Sequence, residues 1–206
     1  DVRYHVAMSI PAPSSTTKDR ILEVAVPLFA SAGFDGVSMR AIATAVGIQP
    51  ASLYNHFPDK QALYLSAMAY VFADKARDIS ETARGPSLPE ARLHRFIDRF
   101  TALMAEDPDF RRLLQRELLD GDESRLRLLA EQVFREPFEA ISALAQDLDP
   151  ECDPHMLAIS MAGLVLFHFE TAPVRRFLPG MRVEQDSPSV IADHVKRLLS
   201  RALARV

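Results

Sequence analysis

The stretch Gly47-Ile48-Gln49-Pro50-Ala51-Ser52-Leu53-Tyr54-Asn55-His56-Phe57-Pro58-Asp59-Lys60 decides the fold. Gly47 can take the left-handed conformation that stops a helix, and Pro50 suits the first turn of the next one, where its missing N–H costs nothing. Leu53 and Phe57 stand four residues apart and anchor one face, leaving Pro50, Ala51, Ser52, Tyr54, Asn55 and His56 outward. Pro58 and Asp59 end this short helix, and Asp59 can cap a long helix from Lys60 to about Arg84, with Leu63, Ala67, Tyr70 and Val71 on its buried side.

Working outward, Ser38 is a suitable N-cap for a short helix whose Met39, Ile42, Ala43 and Val46 share a face. Before it, Ile21, Leu22, Ala25, Leu28, Phe29 and Ala32 recur at helical spacing from Lys18 until Gly33. Pro27 inside this first helix removes a backbone bond and predicts a kink around Glu23 to Pro27. Residues 1–16 show no helical period and read as a flexible arm, in which Met8 is a candidate native start. After Gly85-Pro86 the pattern resumes over 88–106, 108–120, 124–147, 153–172 and 188–205, with proline or glycine at the breaks and no sustained strand alternation. The expected fold is all-α. Its parts are an arm (1–16), a three-helix helix-turn-helix domain (17–62) and a larger helical domain (63–206).

Composition bounds the function. The 206-residue chain is 48% hydrophobic and 25% charged, as a folded globular protein is. Ala158 to Phe167, the longest apolar run, is too short to span a bilayer, and no early segment reads as a signal peptide. A cytoplasmic location without membrane contact is therefore expected. Net charge is -4, and Lys18, Arg20, Arg40 and Lys60 in the N-terminal module are balanced by Asp19, Glu23, Asp35 and Asp59. Charge does not announce nucleic acid, so any such reading rests on motif geometry and neutral donors. The geometry is that of a recognition helix: two helices joined by a tight turn, then a third whose outer face is free to enter a major groove.

The run from Ala25 through Gly33-Phe34, the Ser38-Met39-Arg40-Ala41-Ile42-Ala43 segment and the Gly47 to Lys60 stretch together resemble the N-terminal domain of the TetR family of transcriptional regulators. The resemblance covers about a quarter of the chain. It implies that Ser38, Ser52, Tyr54, His56 and Lys60 lie at or near phosphates, that Gln49, Pro50, Ala51 and Asn55 lie nearest base edges, and that Arg40 makes a direct base or minor contact from the second helix. Gln49 departs from the small hydroxyl residue common at its position. The same resemblance implies a ligand-responsive regulator, in the form of a repressor, that binds a near-palindromic operator in double-stranded DNA as a homodimer and performs no catalysis. For the C-terminal body it implies a cavity for a small apolar or aromatic effector, with Phe100, Met104, Phe134, Phe138, Met161 and His168 as candidate lining. It also implies a four-helix subunit interface, for which Leu157, Met161, Leu164, Phe167, Val195, Leu198, Leu199, Ala202 and Leu203 offer apolar faces.

Other signals are blander. Arg111, Arg112, Arg116, Arg125 and Arg127 alternate with Glu117, Asp120, Asp122 and Glu123, the pattern of a solvated face with helix pairs. Cys152-Asp153-Pro154-His155 lacks the further ligands a metal site needs and reads as a helix start, so no metal or cofactor is implied. Gly163 stands inside a helix, either to pack closely within the subunit or to admit another helix. Two alternative functions remain: a helical protein that binds ligands or partners without DNA, and a helical enzyme, for which no phosphate loop, metal set or nucleophile motif appears.

Overall fold

A computed structural model describes residues 16–204, and every regular element in it is helical. The expected start at Met8 and nearly all of the expected arm lie outside the described residues. Thr16, assigned to that arm, instead caps the first helix: its Oγ1 accepts from the Asp19 N–H at 3.2 Å, and the Asp19 carboxylate accepts from the Thr16 N–H at 2.9 Å. This reciprocal pairing satisfies two otherwise orphaned donors.

Helix α1 (Thr17–Ala32) passes through Pro27 without a break. Next come α2 (Met39–Val46), α3 (Pro50–His56) and the long α4 (Lys60–Ala83). Punctuation and structure agree here. Ser38 Oγ accepts from the Ala41 N–H at 3.1 Å, Asp59 Oδ1 accepts from the Ala62 N–H at 2.7 Å, and Gly47 ends α2 at φ 79°, ψ 33°. Ile21, Ala25, Phe29, Ile42, Ala43, Leu53 and Phe57 are buried, forming a small core under α2 and α3. Tyr70, expected on the buried side of α4, is instead 42% exposed with its hydroxyl 3.4 Å from Glu23 Oε1. A phenol can present its ring edge to the protein and its oxygen to water, so periodicity alone places it poorly.

The body consists of α5 (Pro89–Glu106), α6 (Pro108–Asp120), α7 (Glu123–Leu129), α8 (Arg135–Leu148), α9 (Pro154–Glu170), the short α10 (Ala172–Arg175) and α11 (Pro188–Leu203). α5 packs on α4, α9 and α11, while α8 packs on α4 and α9, so α4 joins both cores. Between α7 and α8 the chain widens into a π-helical turn, Ala130–Phe134. The single helix expected over 124–147 is thus continuous but irregular. Pro137 lies just beyond; its absent N–H and its ring fall against the Val133 carbonyl, where a regular α-turn would require a donor. Among the described residues, no helix is long and apolar enough to cross a membrane.

The arginine-rich segment differs most from the expected solvated face. Arg125 and Glu117 are buried, paired at 3.1 Å, and the Tyr64 hydroxyl donates to the other Glu117 oxygen at 2.8 Å. Arg125 also lies 4.4 Å from the centre of the Phe34 ring, which meets Tyr64 edge-on. Arg116 reaches the end of α1, donating to the Ala30 carbonyl at 3.0 Å and the Ser31 carbonyl at 2.5 Å. Arg111 donates to the Met104 carbonyl. Arg112 with Asp109 and Arg127 with Glu123 do form the short-range surface pairs expected of the segment. These long side chains follow apolar surface inward to partners supplied by other helices.

Candidate nucleic-acid interface

The interface is built on α3. Leu53 and Phe57 are buried beneath it, whereas Gln49, Pro50, Ala51, Tyr54, Asn55 and His56 are exposed and Ser52 is half-buried. The turn that aims α3 is closed by backbone: the Gly47 and Ile48 N–H groups both donate to the Ala43 carbonyl at 3.0 Å. Gln49 occupies the N-cap position, where its carbonyl accepts from Ser52 and Leu53, yet its side-chain amide makes no capping bond. That leaves the amide able to offer a donor and an acceptor together, the pair an adenine edge presents in the major groove. Pro50 and Ala51 beside it supply a smooth apolar surface, and Tyr54 is half exposed.

Ser38 and Arg40 flank this face at the start of α2, and both are exposed. Capping occupies the Ser38 oxygen as an acceptor, but its hydroxyl proton is still available to a phosphate, as are N–H groups of the first helical turn. Lys60 is less free than expected. Its ammonium donates to the Phe34 carbonyl at 2.9 Å and lies 4.3 Å from the Phe34 ring centre, bracing the loop between α1 and α2. An ammonium has three donors, so this contact leaves room for a phosphate. Sequence reading passed over Lys18, which had been counted only as a charge. Its ammonium lies 5.5 Å from the Phe57 ring centre, which places a cation from α1 beside the end of α3. The signal was a basic residue in the first turn of the first helix, but only the folded contact of Lys18 with Phe57 connects it to this face.

The candidate effector residues lie in different packing contacts of the body. Met104 and Met161 are wholly buried in the core; Phe100 stacks on Phe96, Phe134 meets Phe72, and Phe138 meets His155. His168 alone lines a surface cavity, near the end of α9, that none of the other five lines.

The candidate subunit face also needs correction. Val195 and Leu199 are 0% and 5% exposed, turned into their own subunit where α11 lies on α5, and so cannot meet a partner. Leu157, Leu164 and Leu203 are half-buried, while Phe167, Leu198 and Ala202 are exposed. The outer face of α9 instead presents Met156, Ile159, Gly163 and Phe167 as an apolar stripe at helical spacing. A side chain added at Gly163 would meet nothing within 4 Å, so close packing within the subunit does not explain this glycine.

Comparison with known proteins agrees with this geometry. A family model described as bacterial regulatory proteins, tetR family, matches residues 21–67. Over 55 residues, 27% of this chain, the sequence is 40% identical to the biofilm operon icaADBC HTH-type negative transcriptional regulator IcaR of Staphylococcus aureus. The match spans only 30% of that relative's length. In overall fold the chain is similar to AibR, solved with isovaleryl coenzyme A and operator DNA: TM-score 0.69, 21% identity, covering 89% of this chain and 97% of that one. It is also similar to FadR from Bacillus subtilis, solved with stearoyl-CoA: TM-score 0.73, 15% identity, covering 88% and 96%. The N-terminal module thus matches the tetR family of bacterial regulatory proteins over residues 21–67, and the helical body that carries it shares the overall fold of AibR and FadR.

Proposed function

We propose that the protein is a ligand-responsive transcriptional regulator, a repressor that occupies a near-palindromic operator as a homodimer. One observation carries this reading: α3 turns Leu53, and Phe57 at its end, into the core and leaves Gln49, Pro50, Ala51, Tyr54 and Asn55 exposed on one face. Tyr54, Ser52, His56, Ser38 and Lys18 fix the register on phosphates, and Gln49 and Asn55 read bases. With a module charge near zero, hydroxyls and helix N-termini carry more of the phosphate contact than a basic patch does. The IcaR relative is a negative regulator, which supports the repressor assignment.

The second subunit docks on the apolar stripe of α9, with Leu198 and Ala202 of α11 at its margin, and sets two α3 helices about 34–36 Å apart along one DNA face. An effector in the body acts through α6 and α7. Arg116 holds the end of α1, and the Glu117–Arg125 pair holds Tyr64 of α4 and the Phe34 loop, so a shift of α6 displaces the recognition module. The AibR and FadR structures with bound acyl thioesters support a body of this fold as a small-molecule receptor. No catalytic role is assigned to it.

The test is selection of bound duplexes from a random library by the full chain at low salt. Enrichment of a two-fold symmetric sequence is expected. Absence of any enriched sequence, with the dimer intact and with small-molecule extracts present or absent, overturns the reading.

A further inference from the structure

A cavity of about 360 Å³ opens where the end of α9, the 3-10 turn Val183–Asp186 and the start of α11 meet. We propose that it is a binding site for an oxyanion, a phosphate or carboxylate group on a small molecule. Its lining brings together three arginines, Arg175, Arg182 and Arg197, two histidines, His168 and His194, and Gln185, beside the apolar Val190 and Ile191.

The donor character of His168 is imposed. The Arg175 guanidinium, which can only donate, lies 2.9 Å from His168 Nδ1, so Nδ1 is the acceptor and Nε2 carries the proton. Burial, followed by the charges of Arg175 and His194, holds this imidazole below its ordinary pKa, consistent with a neutral ring that donates through Nε2 alone. The acceptors nearby are committed elsewhere. Asp186 is paired with Arg175, Gln185 Oε1 accepts from the Arg182 N–H at 3.2 Å, and Asp193 on α11 is paired with Lys196. Glu184, the remaining carboxylate of the turn, does not line the cavity.

Arg175 is thus the clamp that fixes the turn against α9, and Arg182 and Arg197 are the cations left to face the cavity. Two planar forks over a small cavity match the geometry of an anion with several oxygens better than any neutral ligand. The inference concerns binding alone and does not rest on the DNA reading. It places an anionic subsite outside the apolar core in which Met104 and Met161 are buried.

The test is calorimetric titration of the full chain with inorganic pyrophosphate and, separately, with citrate, in a buffer free of oxyanions. The comparison is the Arg182→Ala/Arg197→Ala variant, whose replaced residues are exposed, and a control, Arg112→Ala/Arg127→Ala, which removes two surface cations elsewhere. Saturable binding of either anion by the parent and the control, weakened at least tenfold in the Arg182/Arg197 variant, is expected. The arm that saturates tells phosphate from carboxylate. Saturation by neither anion, or equal weakening in both variants, overturns the assignment.

Discussion

Replacing Glu117 by Ala tests whether the body grips the DNA-binding module through a buried charge. Glu117 is 1% exposed and Arg125 7%, so the substitution removes the carboxylate that Arg125 meets at 3.1 Å, with Asp122 farther off at 4.0 Å. It also takes away the acceptor of the Tyr64 hydroxyl. Breaking one side of a buried ion pair costs roughly 3–5 kcal/mol, because the remaining charge keeps its desolvation penalty without its partner. For a chain of this length each kcal/mol lowers Tm by about 2–4 °C, so a fall on the order of 10 °C is expected. The Glu117→Leu/Arg125→Leu double variant, which removes both charges, should be more stable than Glu117→Leu alone, with a coupling of about 1 kcal/mol or more across the cycle that Arg125→Leu completes. The assay is thermal unfolding followed by circular dichroism at a single chain concentration, since association between copies would contribute to apparent stability. A fall below about 3 °C for Glu117→Ala, or strict additivity in the cycle, would refute the reasoning.

Four further outcomes follow from the same structure. Gly47→Ala meets no steric obstacle, as nothing lies within 4 Å of the added carbon, so its cost is conformational alone: about 1–2 kcal/mol by denaturant titration, and no loss would contradict the left-handed cap. Phe167→Glu puts a charge on the apolar stripe of α9 and should give a monomer by sedimentation; a persistent dimer would move the interface elsewhere. His168 has a folded pKa held below its ordinary value of 6.5 by burial and then by Arg175 and His194, so its stabilisation is present above pH 6.5 and lost as pH falls through the folded value. Between pH 7 and 5, unfolding should therefore show a steeper loss in the parent than in His168→Gln; identical slopes would remove that role. Tyr54→Ala should weaken binding to all duplexes alike, whereas Gln49→Ala should change base preference, and a uniform effect from Gln49→Ala would end its assignment as a reader.

The helix-turn-helix was legible because its signals are local. Ser38, Gly47, Pro50 and Asp59 each act on their own few residues of backbone, and the Leu53 and Phe57 spacing fixes which face of α3 turns out. The body was legible as helices but not as a set of partners. Glu117 and Arg125 looked like a solvated pair because nothing in the sequence shows that Tyr64, 53 residues earlier, lies against them. Val195 and Leu199 carry the apolar period of any buried helix face, and periodicity does not tell whether the covering surface belongs to the same subunit or another. Lys18 and the π-turn before Pro137 likewise depend on packing between helices. The cavity beside His168 went unread because Arg175 ends the one-turn helix α10 and Arg182 lies in the loop after it, too short a stretch to show a period.

The most direct test of the central claim is the affinity of the Gln49→Ala/Tyr54→Ala/Asn55→Ala variant for the selected duplex, measured by fluorescence anisotropy beside the parent. All three side chains are solvent-facing, so the helical spectrum and the dimer should persist while affinity falls by about a hundredfold or more, the scale of losing several phosphate and base contacts together. Affinity equal to the parent's, with fold and dimer intact, would show that α3 is not the surface that reads DNA.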